Sequence, residues 1–217
     1  MKIEWLGHSS FLLTFSSGFR VITDPYESGS YDGAVGYGKI DLEADAVTVS
    51  HSHADHNASA EVRGDFKLIT TTSPCDLSEG LKVSGFETYH DTSFGKDRGE
   101  NIIFKFEGDG LTILHFGDLG HSLSDDLIKR LGRVDVVLIP VGGHFTIDQA
   151  AAWDIINKLS PNVIIPMHFK TEKLNFPIAG VGEFLSGTSS VNHVDFLEIT
   201  SDTLPSSPSV YVLKHLR

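Results

Sequence analysis

The stretch that decides the fold is AVTVSHSHADH, residues 46–56. Its first five residues read as a buried β-strand, and three histidines and one aspartate follow within six residues. Residues two apart on an extended chain point to the same side, so His51 and His53 can bind one metal ion. If the chain then turns into a helix, Asp55 and His56 face a second position nearby. Imidazole with carboxylate suits zinc, iron or manganese, whereas a solvated polar turn would not need these residues.

Further ligand-type residues follow other predicted strands in the same way. They are His90 after residues 86–89, Asp118 after 111–116, His144 after 134–141 and His168 after 163–167. Ligand sites in sheet-based α/β folds gather at the carboxyl ends of strands. One histidine after a strand would indicate a surface or core role, but several at equivalent positions predict one shared pocket.

The rest of the chain favours a mixed α/β domain with sheets at the centre and helices outside. Strands are predicted at residues 2–6, 10–15, 19–23, 46–50, 67–70, 101–106, 111–116, 134–141, 163–167 and 209–213. Helices are predicted at residues 124–131, 146–159 and 177–185. The clearest is 146–159, where Thr146 and Gln149 form a capping box at the start and Ser160-Pro161 ends the helix.

Length and composition indicate one globular domain over residues 1–217. Apolar residues make up 40% of the chain and charged residues 21%, which argues against disorder. No apolar run approaches the ~20 residues of a membrane span, so no membrane association is expected. Residues 27–39 hold four glycines and two tyrosines and are predicted to form a flexible surface loop. The sequence leaves open whether this loop covers the pocket.

Charge and cysteine content restrict the partners and the compartment. A net charge of −12 repels phosphate backbones, so no nucleic-acid binding is expected. The single cysteine, Cys75, excludes an intramolecular disulfide, and the first residues lack the apolar core of a secretory signal. We therefore expect a cytoplasmic protein whose partner is a small-molecule substrate. The sequence does not indicate an oligomeric state.

The pattern His-x-His-x-Asp-His at 51–56 resembles the signature of the metallo-β-lactamase superfamily. His90, Asp118 and His168 resemble its remaining ligand motifs, in the expected order. Four shorter motifs are similar to those of the small UlaG-like branch of metal-dependent hydrolases: Gly7-His8-Ser9, Thr23-Asp24-Pro25, Gly117-Asp118-Leu119-Gly120 and Pro166-Met167-His168-Phe169.

The resemblance implies a four-layer αββα sandwich, an α/β (α+β) fold, with two divalent metal ions in a cleft at one edge. Zinc is the expected metal, with manganese and iron as alternatives. The implied ligands are His51, His53 and His90 for one ion, Asp55, His56 and His168 for the other, and Asp118 as the bridge between them. The secreted β-lactamases of the superfamily carry a cysteine in the bridging motif, so Asp118 argues against antibiotic hydrolysis.

The expected function is a metal-dependent hydrolase that cleaves an ester, lactone or phosphoester bond in a small, anionic substrate. A metal ion lowers the pKa of bound water to about 7, so no serine or cysteine nucleophile is required. Asp55 and Asp118 are the expected catalytic residues. Substrate contacts or support for the ligands are expected from His8, Asp24, His121 and His144. The alternatives are an iron-dependent oxidoreductase of the same fold and a non-catalytic metal-binding protein.

Overall fold

Two β-sheets packed face to face form the centre of the computed structural model, which describes residues 1–217. In spatial order, the first sheet contains β13 (Leu197–Glu198), β1 (Lys2–Gly7), β2 (Ser10–Thr14), β3 (Arg20–Thr23), β4 (Ala46–Thr48) and β5 (Lys67–Ile69). The second contains β12 (Val191–Val194), β14 (Ser209–Leu213), β11 (Val163–Met167), β10 (Val136–Pro140), β9 (Leu111–His115), β8 (Glu100–Gly108), β7 (Leu81–Tyr89) and β6 (Cys75–Ser78).

Strand direction determines where the ligand-bearing segments emerge. In the first sheet β2 is antiparallel to both β1 and β3, and β3 is parallel to β4, so β1, β3 and β4 run the same way. In the second sheet β8 is antiparallel to both β7 and β9, while β9, β10 and β11 are parallel. Strands of one direction end at the same edge of a sheet. The segments that follow them are therefore brought together at that edge.

Both faces of the first sheet are buried, because successive apolar side chains along its strands point to opposite faces. On β2, Phe11 and Leu13 point into the large apolar cluster between the sheets, whereas Leu12 points to a smaller cluster on the outer face. On β3, Val21 and Ile22 divide in the same way. The sheet is thus a buried layer, and its strand ends are held rigidly from both sides.

Helices cover the outer face of the second sheet. The longest is α3 (Gln149–Leu159), which buries Ala152, Ile155 and Ile156 in the large apolar cluster. Shorter helices are α2 (Asp125–Leu131) and α4 (Val181–Leu185), with 3₁₀ turns at Ser59–Glu61 and Ser201–Thr203. No helix is long and apolar enough to cross a membrane. On the other side, the only α-helical segment is α1 (Ser30–Gly33), a single turn with left-handed backbone at two residues. The predicted fold class is confirmed, with this outer layer built mainly from loops.

The segment 27–39 is a loop at the surface, as predicted, and most of its residues are exposed. It is nevertheless anchored. Val35 and Tyr37 are fully buried, and they pack with Ile22 and Leu174 in the smaller apolar cluster. Gly36 donates its N–H to the carbonyl of Lys173, which ties the segment to the opposite loop. The flexibility of the loop stays a prediction.

The predicted capping box of Thr146 and Gln149 is wrong. Asp148 is the N-cap, and its side chain accepts the N–H of Ala151 at 2.9 Å. Thr146 lies in the preceding loop, where the N–H of Ile147 bonds to the carbonyl of Leu119 and holds the chain extended. The helix predicted at 177–185 begins only at Val181, because the backbone of Ala179 pairs with Gly142 and Lys170.

Three strands were not predicted: β6, β12 and β13. Each lies at the edge of a sheet and is short, and most of their residues are half-buried or exposed. Edge strands bury little side-chain surface, so they lack the apolar alternation by which the sequence reveals a strand.

Leu138 on β10 provides a test of the core. Its side chain is 0% exposed at the centre of the second sheet. We expect Leu138→Ala to lower the free energy of unfolding by about 2–5 kcal/mol, because it removes buried methyl groups and leaves a cavity. Urea denaturation measures the change. The control is Leu68→Ala on β5, where the side chain is 48% exposed and the expected change is within about 0.5 kcal/mol. Equal losses in the two variants would contradict this packing.

Candidate metal centre

Ligand-type side chains from both sheets meet at the edge where the parallel strands end. Their nitrogen and oxygen atoms form two separate groups, each with all its ligand atoms within 4.8 Å of one another, and a third, Asp24, His51 and His56, that shares one histidine with each of them. The first group is His51, His53 and His90. The second group is His8, Asp55, His56 and His168. These are the two sets expected from the sequence, with His8 added to the second. Metal binding by each set stays a prediction.

Asp118 lies between the two groups and contacts both. Its Oδ2 is 3.3 Å from Nε2 of His90 in the first group and 3.1 Å from Nε2 of His168 in the second. Its Oδ1 is 3.1 Å from Nε2 of His56, also in the second group. A carboxylate that contacts both groups could bridge two neighbouring cations.

The centre contains buried polar atoms that the protein itself does not satisfy. Nε2 of His51 is buried and has no hydrogen-bond partner, and Nε2 of His56 and Oδ1 of Asp118, although 3.1 Å apart, are not oriented to form a hydrogen bond. An unsatisfied buried polar group costs about 1–3 kcal/mol. These atoms are the ones a divalent cation would use, and imidazole with carboxylate suits zinc, manganese or iron. The residues present therefore fit a metal centre.

The electrostatics of the centre keep most ligands in the form that binds metal. Burial, reinforced by the neighbouring His56, lowers the pKa of His51 to about 3, so its ring is neutral. Burial alone would raise the pKa of Asp118, but His168 and His56 hold it well below its usual range. Burial opposes a charge on His56, yet Asp118 and Asp55 raise its pKa. A bound cation would take the place of that proton.

Asp24 contacts the second group through a hydrogen bond to His56. Its Oδ2 accepts a hydrogen bond from Nδ1 of His56 at 2.8 Å, and its Oδ1 accepts the backbone N–H of Ser50 at 2.8 Å. The Ser50 hydroxyl donates to the same carboxylate. The contact with His56 fixes the ring so that Nε2 faces the centre, which is the usual role of a carboxylate behind a metal-binding histidine. The structure thus brings Asp24 into contact with His56, and support of a metal ligand by Asp24 stays a prediction.

His8 is fully buried beside Asp55. Its Nε2 donates to Oδ2 of Asp55 at 3.0 Å, and its backbone carbonyl accepts the indole N–H of Trp5 at 2.9 Å. Burial lowers the pKa of His8 to about 4, and His168 adds to this effect, so the ring is neutral. The structure therefore makes His8 a residue that orients Asp55.

The backbone is left-handed at three residues of the centre. His8 has φ 53°, Asp24 has φ 39° and His168 has φ 50°. Non-glycine residues rarely adopt this conformation, and where it persists the surroundings must hold it. Each of the three directly follows a strand, so the left-handed turn redirects the side chain from the sheet into the pocket.

Two glycines allow the ligand loops to pack directly on each other. A Cβ atom at Gly120 would collide with the backbone of His90 and Asp91, and one at Gly142 would collide with the carbonyl of His168. Both clashes are with backbone and could not be relieved by a side-chain rotation. The loops that carry His90 and His168 therefore depend on these neighbours for their position.

The structure does not bring His121 or His144 into the centre. Nε2 of His121 accepts the backbone N–H of Tyr89 at 3.1 Å, so this residue supports the strand end before His90. His144 is exposed and packs edge-on against Phe145, at 4.5 Å between ring centroids. The start of the long helix offers no open anion site beside His144, because that helix begins after Asp148, whose own carboxylate caps it.

A cavity of about 240 Å³ opens onto the centre. It is lined by Tyr31, His53, Asp55, Arg98, Asp118, Phe145, His168 and Phe176. Tyr31 comes from the segment 27–39, which therefore does reach over the pocket. Arg98, Phe145 and Phe176 were not predicted to line a pocket. Phe145 adjoins His144, but nothing in the local patterns of Arg98 or Phe176 indicated a pocket residue.

Comparison with known proteins gives the family. Residues 2–168 match the model of the β-lactamase superfamily domain. A "UPF0173 metal-dependent hydrolase" from Carboxydothermus hydrogenoformans is 30% identical over 211 residues, which cover 85% of this chain and 90% of the relative. The chain belongs to this family of metal-dependent hydrolases within the metallo-β-lactamase superfamily.

Solved structures of the superfamily agree with the fold. A protein from Thermotoga maritima, described as a Zn-dependent hydrolase, is 35% identical with a TM-score of 0.80, covering 98% of this chain and 97% of that one. CmlA from Streptomyces venezuelae, a diiron β-hydroxylase, is 14% identical with a TM-score of 0.58, covering 80% of this chain and 46% of that one. The second likeness concerns the fold alone.

The contact between Asp24 and His56 predicts an effect on metal affinity. We expect Asp24→Asn to weaken metal binding about 10–100-fold, because the His56 ring loses the carboxylate that orients it. Chelator competition measures the affinity. Asp109→Asn is the matched control, since Asp109 also accepts a serine N–H and hydroxyl, from Ser16, but on the surface. Unchanged metal affinity in Asp24→Asn would show that the carboxylate does not support the ligand.

Proposed function

We propose that this metal-dependent hydrolase uses two divalent ions, zinc by preference, to cleave an ester, lactone or phosphoester bond in a small anionic substrate. The observation that carries the proposal is Asp118, a buried carboxylate that contacts His90 of the first group and His56 and His168 of the second. A single metal ion would not need a carboxylate placed between two complete ligand groups.

The residues of the chain prepare the centre for hydrolysis. Two divalent ions bound there would supply Lewis-acid polarisation and a water molecule of lowered pKa. Asp118 stays ionised, so it can orient a water molecule and later accept its proton. Asp55 is held in one orientation by His8 and by the Tyr31 hydroxyl, which donates to Oδ1 at 3.2 Å. The cavity lining includes no serine, cysteine or lysine that could serve as a nucleophile.

Three aromatic side chains form one wall of the cavity. The rings of Tyr31 and Phe145 each contact Phe176 edge to face, with centroid distances of 5.5 and 5.6 Å. Burial and the nearby Asp55 raise the pKa of Tyr31 to about 12, so its hydroxyl remains a donor at neutral pH. A wall of this kind favours a small substrate with an apolar part beside the reacting group.

An iron-dependent oxidoreductase is the alternative with a specific observation behind it. The fold is shared with the diiron enzyme CmlA, and histidine with aspartate also binds iron. Metal analysis distinguishes the two functions. Purification without chelator, followed by elemental analysis, is expected to give two zinc or manganese ions per chain. Iron as the bound metal, with product formation that requires oxygen, would favour the alternative.

Two substitutions test the two-metal proposal. We expect His168→Ala to lower the metal content from two ions to one per chain, because it removes a ligand of the second group only. We expect Asp118→Ala to abolish turnover and to lower metal content while leaving the fold intact, since Asp118 lies within 3.3 Å of histidines from both groups. Elemental analysis, circular dichroism and a panel of ester, lactone and phosphodiester substrates provide the measurements.

The outcomes that would contradict the proposal differ between the two variants. Unchanged metal content in His168→Ala would mean that the second group does not bind an ion. Near-normal turnover of any substrate by Asp118→Ala would remove the bridging role of Asp118. Leu68→Ala, at an exposed position on the edge strand β5, is the control for both measurements.

A further inference from the structure

The cavity at the metal centre adjoins a second, larger cleft. The outer cleft has a volume of about 570 Å³ and shares two lining residues with the inner cavity, His53 and Arg98. Arg98 is the only lysine or arginine that lines either space. In a chain of net charge −12, one cation at this junction is a distinctive feature.

The guanidinium group of Arg98 has no ion-pair partner in the chain. It lies over the ring of Phe145, whose centroid is 5.6 Å from Cζ. Arg20 and Arg133 pair with Glu43 and Asp135, and Arg130, which stacks on Phe86 without an ion pair, lines neither cavity. Arg98 therefore keeps its N–H donors available, and an arginine can grip a carboxylate or phosphate through two parallel hydrogen bonds. Stacking on an aromatic ring limits the motion of the side chain without using those donors.

The loop that carries Arg98 is fixed relative to the metal ligands. It begins at Asp91, directly after His90. The Asp91 carboxylate accepts four backbone N–H groups, from Ser93 and Gly95 at 2.7 and 2.9 Å and from Asp97 and Arg98 at 3.0 and 2.8 Å. The N–H of His90 bonds to the carbonyl of Gly99 at 3.0 Å and closes the loop. An anion at Arg98 would therefore meet a backbone that is already ordered, which lowers the entropic cost of binding.

We propose that Arg98 binds a second anionic group, a carboxylate or phosphate, on a substrate whose reacting group lies at the metal ligands. This assignment rests on the proposed function and specifies its substrate class. The spacer between the two ends would pass along Phe145 and Phe176 in the inner cavity. Glu100 in the outer cleft has no cation beside it other than Arg98, whereas the carboxylates of the inner cavity, Asp55 and Asp118, would be neutralised by the bound metal ions, so the anionic group is placed on the inner side of Arg98.

Two ligands of equal chain length test the assignment. Pentanoate offers one carboxylate to the centre, whereas glutarate adds a second carboxylate at the far end of the same five-carbon chain. Calorimetry on the zinc-loaded protein is expected to show that glutarate binds at least about tenfold more tightly, equivalent to about 1.4 kcal/mol. In Arg98→Met the preference should disappear through loss of glutarate affinity, with pentanoate affinity unchanged. 4-Phosphonobutanoate, measured in parallel, decides whether carboxylate or phosphonate is preferred.

Variants on the same loop separate a specific contact from a general charge effect. Lys96→Met removes one positive charge from an exposed position that lines neither cavity, and it should keep the preference for glutarate. Arg98→Lys should retain only part of it, because an ammonium group cannot form the paired hydrogen bonds of a guanidinium. Zinc content, measured on every variant, should equal that of the unmodified protein.

Two results would overturn the assignment of Arg98: no preference for glutarate in the unmodified protein, or equal losses for both ligands in Arg98→Met. Failure of the proposed function has a different signature. The proposed function fails if the unmodified protein binds fewer than two metal ions per chain, or if it turns over neither neutral nor anionic esters. The Arg98-dependent difference between glutarate and pentanoate could persist in that second case, so the two proposals fail independently.

Discussion

The buried negative charge of Asp118 is the constraint around which the centre is organised. A carboxylate removed from water costs several kcal/mol unless it is paired and hydrogen-bonded. Here it is surrounded by His56, His90 and His168, and Asp24 and Asp55 place two further carboxylates within the same cluster. Imidazoles alone leave several buried atoms of this cluster without partners. Divalent cations would offset both the repulsion between the carboxylates and the missing hydrogen bonds, so metal binding is expected to stabilise the fold.

The sheets satisfy this constraint by geometry. Strands β1, β3 and β4 run in one direction in the first sheet, as do β7, β9 and β11 in the second, and each is followed by residues of the centre. Left-handed turns then direct His8, Asp24 and His168 inward. Gly120 and Gly142 let neighbouring loops touch backbone to backbone. The ligands are consequently held by contacts among loops as well as by the strands that carry them.

The sequence predicted the parts of this arrangement that depend on local spacing. The run from His51 to His56 places four ligand-type residues directly after one strand, and buried strands are recognised by their apolar alternation. It could not predict parts that depend on distant contacts. Asp148, instead of Thr146, caps the long helix because the preceding loop is held extended by tertiary hydrogen bonds. Arg98 escaped notice for a similar reason, since only the fold shows that its loop borders the metal pocket.

The way Asp91 holds its loop has a consequence for the redesign of this enzyme. All four of its hydrogen bonds go to main-chain N–H groups, so the loop keeps its shape without help from the side chains at its tip. Thr92 and Lys96 are exposed there and can be varied in a mutant library at little risk to stability. Arg98 can be exchanged in the same library. New specificities could thus be selected one residue at a time on a backbone already anchored beside His90.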